Sequence, residues 1–486
     1  MRHRSNGTRL PVSRPVASQA SVLRVTTRAR MHQPKGEYMR NMARAENDPR
    51  HILTLNAGSS TIKWKLYSAS TLKPVAFGSI EALLSDSPKI SVSLTSPRSD
   101  NISQALWDRK PDSDADNNYE VIFRAFLDRV KSKLLFDHVI CISHRVVHGA
   151  TTFTAPTKLN DQVIAGIQKI SDLAPLHNPP ALSLIHATTS IFRNTPQIAV
   201  FDTSFHHCIP EHAKNYALPY DKCQQLGIFR YGFHGTSHEY LCKRTTEYLD
   251  GLGSIKKPYR IITLHLGNGA SACAALDGRS VDTSMGLTPL EGLIMGTRSG
   301  DVDASAIFHL SKPHFAAHAS PEYDNIRISQ AEDILNHASG LKGICGESDF
   351  KRIEEILSSP PSKDPGQGTR SNSKTDKLEK YRRTELAIKM FCYRIAKYVA
   401  SYIVPLGGLP HAIVFSGGIG EHVPRVRRMT CEFLEGLVVK IDESTNDSPG
   451  EGDLVDITGK LSLCRVFIVK TDEEGELARH AKAFVD

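Results

Sequence analysis

Residues 51–67 read HILTLNAGSSTIKWKLY. The apolar run 52–55 predicts a short strand, and the small polar residues 56–60 predict a turn. Residues 62–67 then alternate between the two faces of a second strand. This strand–turn–strand order differs from a P-loop, in which a helix follows the glycine-rich turn.

Further apolar strands are predicted downstream, and each ends in a turn of polar or small residues. They span 139–143, 197–201, 260–266 and 412–415. Helical periodicity is clearest over 382–404, where Pro405 is predicted to end the helix. Residues 221–230 and 237–250 are also compatible with helices. Strands that end in such residues indicate an α/β protein with a ligand crevice.

Composition and charge argue against several classes of protein. The 486 residues suit two domains with additions. No apolar run approaches the roughly 20 residues that a membrane-spanning helix needs. The net charge of +8 arises within residues 1–50, which carry ten Arg and one Lys against three acidic residues, so no basic surface for nucleic acid is expected. Nine scattered Cys without a CxxC pair indicate reduced thiols in an intracellular compartment.

Two segments are predicted to lie outside the folded core. Residues 1–50 form a leader whose first 36 residues contain no acidic side chain and are rich in Arg and Ser. This composition is typical of a mitochondrial transit peptide. The alternative is a disordered extension or a gene model that starts too far upstream, which predicts a cytoplasmic protein. Residues 358–377, rich in Pro, Gly, Ser and Lys, are predicted to be a mobile surface insertion.

Two glycine-rich turns follow predicted strands. Residues 266–271 read LGNGAS, and residues 416–421 read SGGIGE. Small residues let backbone N–H groups approach a phosphate closely. Either turn alone is a weak signal, but the two together suggest one nucleotide held along its length.

Two arginines lie in settings that suit anion binding. Arg298 lies among small residues in GTRSGD (296–301), and Arg145 lies at a strand end in HRVVHG (144–149). Either guanidinium can bind a carboxylate or a phosphate of a ligand. Alternatively, Arg298 forms a surface salt bridge and Arg145 pairs with an internal Asp.

Histidine pairs and a run of acids raise the question of metal binding. The pairs with i,i+4 spacing are His144 with His148, and His234 with His238. Such spacing can bind zinc, but there is neither a HExxH Glu nor a Cys cluster, so structural or phosphate-facing roles are favoured. Residues 472–474 (DEE) follow a predicted strand over 464–469 and can bind Mg²⁺. They equally suit the first turn of a predicted helix over 475–483, which these residues alone favour.

Eight motifs, taken in order, resemble the acetate kinase family. They are NAGSSTIK (56–63), HRVVHG (144–149), LAPLHNPP (173–180), VFDT (200–203), YGFHGTSH (231–238), HLGNG (265–269), MGTRSGD (295–301) and GGIGE (417–421). The likeness extends from about His51 to the C-terminus. Eight motifs in the family's order are far more specific than one glycine-rich turn.

The resemblance implies an α/β fold of the acetate and sugar kinase, Hsp70 and actin superfamily. This fold has duplicated ribonuclease-H-like (actin-like ATPase) domains around a nucleotide cleft. By this likeness, the first domain spans 51–203 and is completed by the last helix, 474–486. The second, nucleotide-binding domain spans 204–473 and contains the insertion at 358–377. The resemblance also implies a homodimer.

The activity implied by the resemblance is reversible, direct in-line phosphoryl transfer between ATP and acetate, which yields ADP and acetyl phosphate. Such an enzyme is a phosphotransferase with a carboxyl acceptor. It uses ATP or ADP as co-substrate and Mg²⁺ as metal, with Mn²⁺ as an alternative. It is linked to acetyl-CoA metabolism through phosphotransacetylase or phosphoketolase.

Residue roles carry over by position in the motifs. The implied catalytic residues are Asp202, His234 and Arg298, and the implied metal ligands are Asn56 and Glu473, which reverses the helix interpretation of the terminal acids. The implied acetate-binding residues are Arg145, Val147, Leu176, Phe233 and Pro289. The implied ATP contacts are Lys63, His265, Leu266, Gly267, Asn268, Gly269, Asp349, Phe350, Lys351, Gly418, Ile419, Gly420, Glu421 and His422.

Two considerations bear on the roles of Asp202 and of the residues implied to contact ATP: the ionisation of acetate, and two positions at which the sequence departs from the family pattern. Acetate is already an anion near neutral pH, so no general base is strictly required. Asp202 then has an alternative role, orienting Arg145 or holding Mg²⁺ through water. Lys351 and His422 stand where the family usually has Arg and Asn. Lys lacks the bidentate fork of Arg, and Arg352 is a candidate substitute.

Three alternatives to an acetate kinase stay open at this level. A kinase for propionate or butyrate differs by few methylene groups, and one such group discriminates by only about 1–3 kcal/mol. A pyrophosphate-using variant is disfavoured by the glycine-rich turn at 417–421. A non-catalytic nucleotide switch is disfavoured because it has no reason to assemble Arg145, His234 and Arg298.

Overall fold

A computed structural model of the chain describes residues 48–58, 61–81, 83, 88–94, 102–105, 119–130, 136–175, 177–310, 317–320, 323–361 and 372–486. The predicted leader lies outside these ranges except for residues 48–50, and so do Leu176 and residues 362–371 of the predicted insertion. Residues 48–486 form one compact unit. The division into two domains at residue 203 therefore stays a prediction.

The strands form two large sheets and one hairpin. In chain order they are β1 (His51–Ala57), β2 (Thr61–Ser68), β3 (Pro74–Glu81), β4 (Lys89–Leu94), β5 (Ile102–Ala105), β6 (Val139–Val146), β7 (Thr157–Lys158), β8 (Gln197–Phe201), β9 (Arg260–Leu266), β10 (Ala270–Leu276), β11 (Arg279–Thr283), β12 (Ala317–Ser320), β13 (Tyr323–Ser329), β14 (Ala412–Ser416), β15 (Leu454–Asp456) and β16 (Arg465–Val469). The first sheet has the order β5-β4-β3-β2-β1-β6-β8-β7, and the second has the order β11-β10-β9-β14-β16-β15.

The two sheets repeat one five-strand arrangement. In the first, β1, β2 and β3 pair antiparallel, whereas β1, β6 and β8 pair parallel. In the second, β9, β10 and β11 pair antiparallel, whereas β9, β14 and β16 pair parallel. The α/β class with a duplicated unit, as predicted, is therefore confirmed. We call the two sheets, with the helices that pack on them, the first and second lobes.

The helices connect and cover these sheets. In chain order they are α1 (Tyr119–Val130), α2 (Asp161–Ile170), α3 (Asn178–Ile191), α4 (Glu211–Lys214), α5 (Tyr220–Leu226), α6 (Gly235–Leu252), α7 (Ala306–Leu310), α8 (Gln330–His337), α9 (Gly340–Cys345), α10 (Phe350–Ser358), α11 (Asn372–Ser401), α12 (Ile403–Leu406), α13 (Gly417–His422), α14 (Pro424–Phe433), α15 (Glu443–Asp447) and α16 (Glu473–Val485).

Three predicted boundaries are wrong. Helix α11 begins at Asn372, so residues 372–377 of the predicted surface insertion are helical. These six residues, NSKTDK, contain no apolar side chain from which helical periodicity could be predicted. Pro405 lies inside the short helix α12 rather than ending α11. The glycine-rich segment at 417–421 is the start of α13, directly after β14, because glycine permits both turn and helix.

The last helix belongs to the first lobe although it follows the second sheet in sequence. Leu477, Ala478 and Ala481 of α16 are fully buried against Ile52 of β1 and Cys141 of β6. The opposite face of the first sheet packs on α1 and α3. In the second lobe, α6 covers one face of the sheet and α11 covers the other. The N-termini of α6 and α16 lie beside the site described below.

Candidate active site

Three polar side chains meet at the carboxyl edge of the first sheet. Asn56 on β1 is in register with Arg145 on β6. Asp202 follows β8, which pairs with β6. Because the carboxyl ends of parallel strands meet at one edge of a sheet, the topology alone brings these residues together.

Arg145 forms a two-pronged ion pair with Asp202. Its Nε donates to Oδ1 at 2.9 Å and its Nη2 donates to Oδ2 at 2.6 Å, while Nη1 donates to Asn56 Oδ1 at 3.2 Å. Burial opposes a charge here, but the carboxylate of Asp202 outweighs it and raises the pKa of Arg145. Three of the five N–H donors are used in this way, so two remain for an anionic ligand.

His234 is held at the start of α6 in a strained conformation. Its φ is +54°, in the left-handed region that non-glycine residues rarely adopt. The N–H of Gly235 donates to the carbonyl of Asp202 at 3.0 Å. A Cβ at Gly235 would collide with that carbonyl. The glycine therefore lets His234 lie directly against the strand end that carries Asp202.

A chain of hydrogen bonds fixes the ring of His234. Its Nδ1 lies 2.8 Å from Ser271 Oγ, and His238 Nε2 lies 2.8 Å from the same oxygen. His238 Nδ1 lies 2.7 Å from Thr263 Oγ1. Burial, followed by the nearby charges of His265 and Arg145, lowers the pKa of His234 well below its usual value. The imidazole is therefore neutral at physiological pH.

Arg298 reaches the same space from the second lobe. Its Nη2 lies 3.3 Å from His177 Nε2. Its Nη1 lies 3.6 Å from where a Cβ at Gly269 would sit, and His234 Nε2 lies 3.4 Å from that point. The side chains of Arg298 and His234 therefore lie beside the same glycine.

These groups line a first cavity of about 350 Å³. Of the residues predicted for catalysis and acetate binding, it contains Arg145, Val147, Asp202, Phe233, His234, Pro289 and Arg298. Seven of its lining residues were not among the predicted site residues, namely Ala57, Gly58, His177, Pro180, Thr297, Asn336 and His337. Ala57, Gly58 and Thr297 lie inside the quoted motifs 56–63 and 295–301. His177 and Pro180 lie inside the quoted motif 173–180, whereas no sequence signal marked Asn336 or His337.

A second cavity of about 720 Å³ adjoins the first. It is lined by eight of the residues predicted to contact ATP, which are Gly267, Asn268, Asp349, Phe350, Lys351, Gly418, Ile419 and His422. Asn268 lines both cavities. One ligand can therefore extend from the first cavity into the second past this side chain.

Comparison of the sequence with known protein families identifies the family of this chain. A model of the acetokinase family matches residues 51–479. The chain belongs to this family. An acetate kinase of Helicobacter acinonychis (strain Sheeba) is 40% identical over 439 residues, which cover 90% of this chain and 99% of that protein.

Two solved structures resemble the acetokinase chain over most of its length. One is an acetate kinase of Porphyromonas gingivalis, with 32% identity and a TM-score of 0.73, covering 90% of this chain and 100% of that one. The other is a propionate kinase from Francisella tularensis subsp. tularensis SCHU S4, with 32% identity and a TM-score of 0.74, covering 89% and 99%.

Other residues predicted to contact ATP are not among those that line the second cavity. Gly269 lines the first cavity. Lys63 is exposed on β2, directly across from Asn56. Leu266 is buried in the core, and Arg427 donates to the carbonyl of Gly420 at 2.8 Å. Leu266 and Gly420 therefore suit a backbone role in the acetokinase site, whereas the exposed side chain of Lys63 lies on the same face of the sheet as that of Asn56.

Glu421 connects two strand ends instead of lining the second cavity. Its Oε1 accepts from the backbone N–H groups of Gly417 and Thr471, each at 3.0 Å. Gly417 follows β14 and Thr471 follows β16. The carboxylate therefore holds the start of α13 beside the segment that leads into Glu473.

Of the two departures from the family pattern, Lys351 lies in the first turn of α10, and His422 ends α13. Asp349 caps α10, and its Oδ1 accepts from the N–H of Lys351 at 2.9 Å. Lys351 lines the second cavity. Arg352 instead donates to Glu355 at 3.0 Å on the exposed surface, so it does not replace a family arginine in the cavity.

The terminal acids divide between two roles. Asp472 caps α16, where its Oδ1 accepts from the N–H of Gly475 at 3.1 Å, and it also pairs with Lys65 at 3.3 Å. Glu473 Oε1 lies 3.7 Å from His265 Nδ1. Glu473 and Asn56 offer the hard oxygen atoms that Mg²⁺ prefers, so this donor set fits the metal.

The histidine pairs have protein partners in place of zinc. His144 Nε2 lies 2.8 Å from Gln197 Oε1, and burial lowers the pKa of His144 to about 4. His148 Nδ1 accepts from the N–H of Ala150 at 2.9 Å. The described contacts therefore support structural roles for His144, His148 and His238, whereas His234 lines the first cavity. All nine cysteines are free thiols, as expected.

The helices of the described residues were compared with the length and apolar character that a bilayer-spanning helix needs. Within those ranges, no helix is both long enough and apolar enough to cross a bilayer.

Proposed function

We propose that the chain is an acetate kinase that transfers a phosphoryl group reversibly between ATP and acetate. The observation that carries this proposal is the buried Arg145–Asp202 pair in the first cavity, where Arg145 keeps two donors for a small carboxylate. His234 and Arg298 line the same cavity. The family membership and the 40% identity to an acetate kinase support it independently.

The reaction needs no proton removal. A carboxylate oxygen of acetate attacks the γ-phosphorus, and the bond from that phosphorus to the β,γ-bridging oxygen breaks. ADP leaves with that electron pair. Because acetate is ionised near neutral pH, Asp202 is better suited to orient Arg145 through its two hydrogen bonds than to act as a base.

The neutral imidazole of His234 is suited to donate a hydrogen bond to the transferring group. We assign a single direction to the hydrogen bonds: Thr263 donates to His238, His238 donates to Ser271, and Ser271 donates to His234 Nδ1. Nε2–H of His234 is then free to point at a phosphoryl oxygen. With Arg298, it stabilises charge that develops on those oxygens.

Mg²⁺ is the metal that we propose for this site, with Asn56 and Glu473 as its protein ligands. When bound with the nucleotide, it neutralises charge on the phosphate oxygens. Mn²⁺ is an alternative because it also accepts oxygen ligands.

ATP is favoured over pyrophosphate as the phosphoryl donor. The second cavity of about 720 Å³ beside α13 offers room for a nucleoside. Pyrophosphate has no group that would fill it. Activity with pyrophosphate and none with ATP would reverse this choice.

Propionate is a second candidate substrate. Val147, Phe233 and Pro289 give part of the first cavity an apolar wall, and a propionate kinase is among the similar structures. An apolar pocket discriminates one methylene group only modestly. We expect acetate to have the higher kcat/KM and propionate to be used.

The direct test is hydroxamate trapping of acetyl phosphate formed by the full chain from Mg·ATP and acetate. We expect a robust signal that is lost in Arg298→Ala. The matched control is Arg352→Ala, which removes an exposed arginine and should retain activity. No signal with acetate, propionate or butyrate, in a folded protein that still binds ATP, would favour the nucleotide-switch alternative.

The proposal extends to the oligomeric state, the pathway partner and the cellular location of the chain. We propose a homodimer, which light scattering after gel filtration would measure as twice the chain mass. We further propose a pathway partner that makes or uses acetyl phosphate, such as phosphotransacetylase or phosphoketolase. The leader supports mitochondrial import, and a cytoplasmic signal from a C-terminally tagged full chain would contradict this.

A further inference from the structure

A third cavity, of about 570 Å³, lies away from the two already described. Its walls come from both lobes: residues 154–156, the segment after β8, helix α6, the turn between β10 and β11, and His480 of α16. Glu239 of α6 and His480 of α16 face each other at its wall. None of the functions proposed so far uses this cavity.

Three metal-ligating side chains converge at that wall. His480 Nε2 lies 3.2 Å from Glu239 Oε2 and 4.0 Å from Glu476 Oε1. One ligand atom from each residue lies within 4.8 Å of the others. Ligand atoms around tetrahedral zinc lie roughly 3.3 Å apart, given bonds of about 2.0–2.1 Å. Only a small inward movement is needed to reach that geometry.

Neighbouring residues fix the carboxylate of Glu476 beside His480, and the cavity leaves Glu239 and His480 accessible. Arg479 donates to Glu476 Oε2, which leaves Oε1 directed toward His480. Glu476 is 3% exposed. Glu476 and His480 are four residues apart on α16, so their side chains share one helix face. Glu239 and His480 line the cavity, which provides an entry path and space for water ligands.

The carboxylates of Glu239 and Glu476 favour a cation beside His480. Burial lowers the pKa of His480, but the hydrogen bond and charge of Glu239 and the charge of Glu476 outweigh it and raise that pKa. Other charged groups nearby are Arg479 on α16, Lys243 and Glu247 on α6, and Lys257, Asp277 and Arg279 across the cavity. A proton therefore competes with a metal ion for Nε2.

We propose that Glu239, Glu476 and His480 bind Zn²⁺, with water from the third cavity as the remaining ligand. Binding replaces the proton on His480 Nε2, so one proton is released when that nitrogen is protonated. A bound ion would cross-link α6 with α16. Helix α6 begins directly after His234, and α16 begins at Glu473, so the site joins the two helices that carry these active-site residues.

The test is a Zn²⁺ titration of the full chain at pH 7.5 against a chromophoric chelator, without nucleotide. We expect one tight ion per chain and a rise in melting temperature on binding. His480→Gln and Glu239→Gln should each weaken binding at least tenfold. Lowering the pH to 6 should also weaken binding, since His480 then holds its proton.

Two control variants come from the same cavity. His207 is exposed there and Cys208 is partly exposed, so His207→Gln and Cys208→Ser remove neighbouring donors outside the proposed site. Both should bind Zn²⁺ as the natural chain does. Unchanged binding in Glu239→Gln and His480→Gln, or loss of binding in either control, overturns the proposal. If His480→Gln does not fold, Glu239→Gln decides alone.

Discussion

The two lobes use the same strand order but place different chemistry at corresponding strand ends. In the first lobe, the parallel strand beside the central hairpin carries Arg145, and the next is followed by Asp202. In the second lobe, the corresponding strand runs into Gly417, and the next leads to Glu473. Topology thus fixes where a functional group lies, while the residue type decides what it does.

The difference corresponds to the two ligands proposed. A small carboxylate offers few atoms, so a charged side chain with a fixed fork provides most of the recognition. A nucleotide offers phosphates that backbone N–H groups can approach if no side chain intervenes. A comparison of side-chain and glycine substitutions should therefore separate effects on acetate from effects on ATP.

The largest effect is expected from Arg145→Ala. It removes the carboxylate-binding donors and leaves Asp202 buried without its partner, which is costly. We expect kcat/KM for acetate to fall by about a thousandfold or more, while KM for ATP changes much less. Steady-state kinetics with each substrate varied in turn would measure both.

Asp202→Asn refines this prediction. The amide keeps one acceptor for Arg145 but loses the charge and the second acceptor, so kcat/KM for acetate should fall by about tenfold to a hundredfold. An orienting role predicts no change in the pH profile of kcat. Loss of a titration from that profile would identify Asp202 as a base, and near-normal turnover would remove it from the catalytic residues.

In the second lobe, Gly417→Val should mainly affect the nucleotide. Gly417 has φ +74°, and a Cβ there would lie 2.7 Å from the carbonyl oxygen of Leu266. Since strain of this kind costs about 1–3 kcal/mol, we expect KM for ATP to rise by about tenfold to a hundredfold.

The control for that change is Gly436→Ala. A Cβ at Gly436 would meet nothing within 4 Å, so both kinetics and melting temperature should be unchanged. If Gly417→Val instead raises KM for acetate as strongly as KM for ATP, the division of labour between the lobes is wrong.

Both lobes bury neutral histidines, and this predicts acid sensitivity. Burial lowers the pKa of His144 and His148 to about 4 in the first lobe, and that of His206 to about 4 where the second begins. Below the unfolded value of about 6.5, the unfolded chain binds more protons, so stability falls as pH falls from 6.5 toward 4.

The magnitude can be checked by urea unfolding at pH 7.5, 6 and 5. One histidine with a folded pKa of about 4 contributes roughly 2 kcal/mol of lost stability at pH 5. His144→Gln removes one such group and should make the decline shallower between pH 6.5 and 5. A free energy of unfolding that is flat across this range would contradict the buried-neutral assignment.

The bounds of strands were predicted correctly where an apolar run lies between two turns. Gln197–Phe201 and Arg260–Leu266 are apolar runs between turns, and their observed bounds equal the predicted ones. The start of α11 was wrong because residues 372–377 have no apolar side chain, and the described side chains at 375–379 are exposed. The start of α13 was wrong because glycines there suit a turn as readily as a helix.

The site was partly predictable for the same reason. The edge shared by Asn56, Arg145 and Asp202 follows from parallel strands, and the motifs supplied the other roles as implications of a resemblance. Asn336 and His337 reach the first cavity through the packing of α8, which no local pattern encodes. Glu239 and His480 are 241 residues apart in sequence, so no local pattern could predict that their side chains are in contact.

The smallest effect is expected where the first lobe meets the methyl end of the substrate. Val147 lines the first cavity, and Val147→Ala would enlarge its apolar wall by two methyl groups without touching Arg145. Because one methylene group is worth only about 1–3 kcal/mol in such a pocket, kcat/KM for propionate relative to acetate should rise by about tenfold. Competition kinetics would measure the ratio directly, and KM for ATP should not change. An unchanged ratio would mean that Phe233 and Pro289, rather than Val147, limit the length of the acyl chain.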